Sequence, residues 1–144
     1  MSEYSQTYKE NKIKSIEKEV LEFHPLLKDL FSKMNGIENY EYTHGKYEYG
    51  ADFILQIKHG VLSNENIHVS VIVKCGKIDK SYFNEKIIPQ IRECYIPKKI
   101  KNGSETVNIK EVWIITNSTF SHGAITVINE YEEFKNKSIH FFWE

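Results

Sequence analysis

The sequence predicts a single α/β domain in which a mixed central β-sheet is flanked by helices, in the order α-β-β-β-α-β-α-β. Three observations carry this reading. An apolar stripe of helical period occupies residues 13–34, several short β-rich runs follow, and strand-like and helix-like segments alternate through the second half. With 144 residues the chain fits one core. The domain is expected over residues 13–144, after a flexible N-terminus at 1–12.

In the first helix Ile16, Val20, Phe23, Leu27, Leu30 and Met34 recur at steps of three and four, and Gly36 ends it. Pro25 within the stretch removes a backbone donor and predicts a kink or two abutting helices. Residues 39–49 and 51–57 read as strands punctuated by Gly45 and Gly50. Residues 68–75 form the clearest strand and are expected at the centre. There Val69, Val71 and Val73 point to one face, and His68, Ser70, Ile72 and Lys74 to the other.

Past Gly76, Phe83, Ile87, Ile88, Ile91 and Cys94 have helical spacing over 81–95, with Pro89 arguing for a break or a late start. Residues 98–109 carry an Asn-Gly turn signal for a small hairpin or loop. Residues 111–116 suit a buried strand, 121–134 a helix striped by Ala124, Ile125, Ile128 and Tyr131, and 138–143 a last strand. Crossovers between strands in this half imply parallel pairing.

Nineteen Lys and Arg against 20 Asp and Glu give a net charge of -1, so any nucleic-acid contact must come from a local patch. Lys74, Lys77 and Lys80 form one basic concentration, and Lys98, Lys99 and Lys101 the other. No apolar run reaches the length of a membrane span, and the N-terminus is too polar for a signal-peptide core, which predicts a cytoplasmic protein. Cys75 and Cys94 lack metal-ligand spacing, and the apolar strand around Cys75 predicts a buried thiol. The six histidines show no ligand or catalytic spacing.

An acid in Gly50-Ala51-Asp52, then a hairpin, then a lysine ending the hydrophobic strand Ile72-Val73-Lys74 resembles the pattern of the restriction-endonuclease-like, or PD-(D/E)xK, nucleases. Trp113 to Phe120, an apolar strand passing into Thr116, Asn117, Ser118 and Thr119, followed by Gly123-Ala124 on a helix, is similar to the strand-turn-helix of Mrr-like domains. Pro89-Gln90-Ile91 resembles the helix after the lysine, which in such domains often carries glutamine. Similar modules occur within larger antiviral proteins.

The resemblance implies a Mg²⁺-dependent DNA endonuclease or the nuclease module of a restriction or antiviral defence system. A divalent cation activates water and neutralises charge on the phosphorane, and carboxylates are its natural hard ligands. Asp52 would be the metal ligand and Lys74 the cationic catalytic group. Ile72 departs from the pattern, because the family keeps a carboxylate or glutamine there. Two explanations stand. Either the second ligand comes from Glu85, Gln90 or Glu93 on the following helix or from Glu19 on the first, or the domain is catalytically degenerate and serves nucleic-acid binding or assembly. A homodimer or a larger defence-system partner fits either reading, and a membrane neither.

Overall fold

A computed structural model describes residues 19–43, 50–58 and 66–143, with side chains from residue 21 onward. The molecule is a mixed α/β structure with three helical regions around a five-stranded sheet. A π-helical turn, Glu19–Phe23, leads into helix α1, His24–Lys33, whose first turn contains Pro25. Strands β1, Ile37–Tyr42, β2, Phe53–Lys58, and β3, Asn66–Lys74, follow. A second helical region runs through Lys80–Tyr82, a π-helical turn at Phe83–Ile87 and helix α2, Ile88–Cys94. Then come a two-stranded hairpin of β4, Lys98–Ile100, and β5, Glu105–Val107, strand β6, Ile109–Thr116, helix α3, His122–Val127, and strand β7, Ser138–Phe142.

The sheet order is β1-β2-β3-β6-β7, so β3 is central. β1, β2 and β3 pair antiparallel, whereas β3, β6 and β7 are parallel, as the crossovers through α2 and α3 require. Alternation along β3 sorts its side chains as the sequence implies. Val69, Val71 and Val73 join Phe53 and Leu55 beneath Leu27 and Phe31 of α1. Ile72 joins Ile54 and Ile114 beneath Ile88 and Ile91 of α2 and Ala124 and Val127 of α3.

Four expectations need correction. The buried stripe of α1 is His24, Leu27 and Phe31, while Leu30 and Met34 are exposed. Leu26, Leu27, Leu30 and Phe31 make two adjacent apolar rows on one regular helix, and only the row of Leu27 and Phe31 meets the sheet. Pro89 makes no break, because the chain is helical on both sides of it, but the regular α-helix does start late, at Ile88, directly after the π-helical turn Phe83–Ile87. The predicted helix at 121–134 is α-helical only to Val127, and two 3₁₀ turns, Ile128–Glu130 and Glu132–Phe134, are separated by extended Tyr131. Cys75 is half-buried beyond the end of β3, and Cys94 is the buried thiol. Residues 44–49, part of the second predicted segment, lie outside the described residues. Among the described residues no helix is long and apolar enough to cross a membrane.

Candidate functional site

The end of the sheet where β2 begins and β3 and β6 finish gathers Asp52, Lys74 and Thr116. Asp52 precedes β2 and is held at three points. Its N–H donates to the Val71 carbonyl at 2.8 Å, its carbonyl accepts from Thr43 N–H at 2.9 Å, and its Oδ2 accepts from Val73 N–H at 2.8 Å. The carboxylate thus satisfies a ladder donor that no backbone carbonyl reaches. Asp52 is only 2% exposed. Thr43 also donates its hydroxyl to the Ala51 carbonyl at 2.8 Å, fastening the same segment to the end of β1.

Gly50 brings that segment against α2. Its φ is +81°, and a Cβ placed there would lie 2.5 Å from the Gln90 carbonyl oxygen and 2.9 Å from Glu93 Cβ. Only glycine permits both the left-handed backbone and this approach. The Gln90 side-chain amide Nε2 donates to the Gly50 carbonyl at 3.1 Å. Gln90 therefore does sit beside the Asp52 segment, where its described bond pins the backbone.

Beneath Asp52 lies a buried polar set that sequence reasoning missed. Ser70, next but one to Ile72 on the same face of β3, donates to the Cys94 carbonyl at 3.2 Å. The Cys94 thiol is pushed up to about 12 by burial, with the charges of Asp52 and Glu93 acting in the same direction and Lys98 and the Ser70 hydrogen bond opposing. Lys98 is 1% exposed, and its Nζ donates to the Glu93 carbonyl at 2.5 Å, capping the last turn of α2. Burial holds its ammonium below the usual lysine range, while Cys94 and Glu93 act in the opposite direction.

Lys74, half-buried, is the last residue of β3 and pairs in register with Thr116. Its parity with Ser70 and Ile72 places its Cβ on the α2 side of the sheet. The Thr116-Asn117 turn has a structural task. Thr116 Oγ1 donates to the Gly76 carbonyl at 2.7 Å, and Asn117 Oδ1 accepts from Gly76 N–H at 2.8 Å. Ile78 and Phe120 continue this connection as a parallel bridge.

The other candidates separate. Glu85 and Glu93 have exposed side chains, and the Glu19 side chain lies outside what is described. Lys77 is exposed, and Lys80 is exposed with its Nζ 3.7 Å from Glu130. Lys99 and Lys101 are exposed on the hairpin, where Lys101 pairs with Glu105 at 2.9 Å and donates its N–H to Glu41 at 2.8 Å. Lys98 must be removed from the expected phosphate-contacting surface because it is buried between the hairpin and α2. The hairpin crosses the sheet beside Glu41, which pairs with Ile54, so its exposed lysines stand on a different element from Lys74, Lys77 and Lys80.

Among the described residues the donors beside Asp52 do not complete a site for a resident divalent cation. Asp52 Oδ2 already holds Val73 N–H, the neighbouring inward position on β3 is the fully buried hydrocarbon Ile72, and no three described acidic, histidine or cysteine side chains converge. A hard cation needs several oxygen ligands, and the described residues supply one partly committed carboxylate there. Comparison with family models, curated proteins and solved structures finds no match for this chain.

Proposed function

We propose that the chain is a catalytically degenerate domain of the restriction-endonuclease-like type that acts as an assembly module. One observation carries the reading: Ile72 is fully buried against α2 in the place where the family keeps its second metal ligand. The bond from Val73 N–H to Asp52 gives the remaining acid a structural task. A net charge of -1 and the division of the exposed lysines into two groups favour assembly over a nucleic-acid track. The test is incubation of the full chain with plasmid DNA, single-stranded DNA and RNA in Mg²⁺ or Mn²⁺. No cleavage above that of Asp52→Asn is expected, and cleavage that Asp52→Asn abolishes overturns the proposal.

A second reading, a metal-dependent DNA endonuclease of a restriction or defence system, is favoured by the meeting of the Asp52 segment with Gln90 beside the end of β3. In it Asp52 binds the cation and Lys74 stabilises the developing charge. Gln90→Ala would then cost as much activity as Asp52→Asn.

A further inference from the structure

The sheet is about 24 Å wide at ordinary strand spacing, and one helix is about 10 Å across. On the face opposite α2 and α3, the helical residues of the core all come from α1 and the turn before it, and they lie over β1, β2 and β3. The β6–β7 half of that face keeps Trp113 and Ile115 half-buried and Phe142 43% exposed, with His140 and Glu111 paired at 3.1 Å beside Trp113, and Trp143, 51% exposed, borders it past the end of β7. Between this half and α1 runs a groove of about 390 Å³, bordered by Leu26 and Leu30 on one side and Ile115, Phe142 and Trp143 on the other.

Helix α1 is itself apolar on two sides. Leu27 and Phe31 meet its own sheet, while Leu26 is 62% exposed and Leu30 48% exposed. On this regular helix the Leu26–Leu30 row lies about 100° round from the Leu27–Phe31 row, so it forms an exposed flank that borders the groove. The ridge that needs cover and the ledge that needs a helix therefore lie side by side on one face of one chain. That is the self-complementarity of a two-fold interface.

We propose that this face binds a second copy of the chain, with the two α1 helices antiparallel between the two sheets and each lying in the groove of the other. Charge agrees with that direction. Glu22 borders the groove at the start of the helix, and Lys33, paired with Asp29 in its own chain, stands at the other end. An antiparallel arrangement about a two-fold axis near residue 28 brings Glu22 of one copy toward Lys33 of the other and Leu26 against Leu30. Lys28 does not oppose itself across that axis, because its Nζ lies 3.8 Å from the centre of its own Tyr42 ring. The inference rests on the assembly reading and names its partner.

Sedimentation of the full chain over a range of about 1 to 100 μM tests it, the interval in which an interface of modest affinity is half-populated. The expected result is a reversible dimer, weakened at least tenfold by Leu26→Lys and by Leu30→Lys with circular dichroism unchanged and with melting unchanged in dilute solution where chains are single. Trp113 lies on this face and Trp143 borders the groove while its ring meets Phe120 of the opposite core, so dilution of wild type should shift emission to the red and dilution of Leu30→Lys should not. A wild type monomeric throughout, or a dimer indifferent to both substitutions, overturns the proposal. If the monomer's groove is covered instead by residues 1–18, their deletion will increase binding of a hydrophobic dye, which also overturns it. Cleavage assays on the same samples separate the two claims: an inert monomer defeats the dimer alone, and a cleaving dimer defeats the degenerate site alone.

Discussion

The two faces of the sheet are made by the same strands, yet one is closed and the other half open. On the α2–α3 face, helices at both ends of the sheet cover Ile54, Ile72 and Ile114, and even Ser70, Asp52 and Lys98 are buried with polar partners. On the α1 face, among the described residues, one helix covers the β1–β3 half and Phe142 stays at the surface. Alternation decides which residues each face offers to a core. The number of helices delivered to a face decides how much of that offer is taken up, and here the catalytic-looking residues went to the closed side.

Ile72→Glu is the severest way to break this contrast. Placing a carboxylate in a fully buried apolar position should cost roughly 4 kcal/mol or more, read by denaturant unfolding. Near-wild-type stability would mean that water reaches the space beside Asp52, and the closed-face description would fail. Next in size is Gly50→Ala. Left-handed strain together with overlap on Gln90 and Glu93 should destabilise by about 3 kcal/mol, and the relative orientation of α2 and the Asp52 segment should loosen with it.

Alkaline unfolding sharpens the account of the buried polar set. The Cys94 thiol is raised in the folded state, so its contribution is fully present below the ordinary thiol value of 9.0 and is lost as the pH climbs toward about 12. At pH 11 the loss should be about 2–3 kcal/mol. Burial also raises Tyr95, which acts in the same sense, whereas the lowered Lys98 gains stability as pH rises toward the ordinary lysine range. Cys94→Ala should lower overall stability but flatten the pH profile, and an unchanged slope between pH 9 and 11 would refute the assignment. The smallest effect belongs to the open face. Leu30→Ser, measured in dilute solution where chains are single, should change stability by no more than about 0.5 kcal/mol.

Much of the scaffold was legible. The valines of β3 separate from Ser70 and Ile72 because strand side chains alternate strictly, so a run of one parity reports one face. The α1 stripe was misread because Leu26 and Leu30 on one flank and Leu27 and Phe31 on the next are equally apolar, and an apolar repeat does not mark which row meets the sheet. Of the site, Gly50, Asp52 and Gln90 were identified and are found together, and Asp52 Oδ2 holds Val73 N–H. Lys98 was read as a surface cation, and Ser70 and Cys94 were given no polar role, because a buried polar residue is announced only by the partner it finds. For Lys98 the weak signal was its alternation with Ile100 on a short strand.

By itself the sequence determined the periodic information: where most strands and helices lie, and that β3 presents its valines to one face and His68, Ser70, Ile72 and Lys74 to the other. Those properties follow from side-chain chemistry and the fixed geometry of each backbone element, which neighbours do not alter. Only tertiary structure decided that Asp52 and Lys98 are buried, that Gly50 touches α2, and that the described helices leave half of one sheet face uncovered. These depend on where distant segments come to lie, and burial is a property of the packed layers rather than of any residue within them.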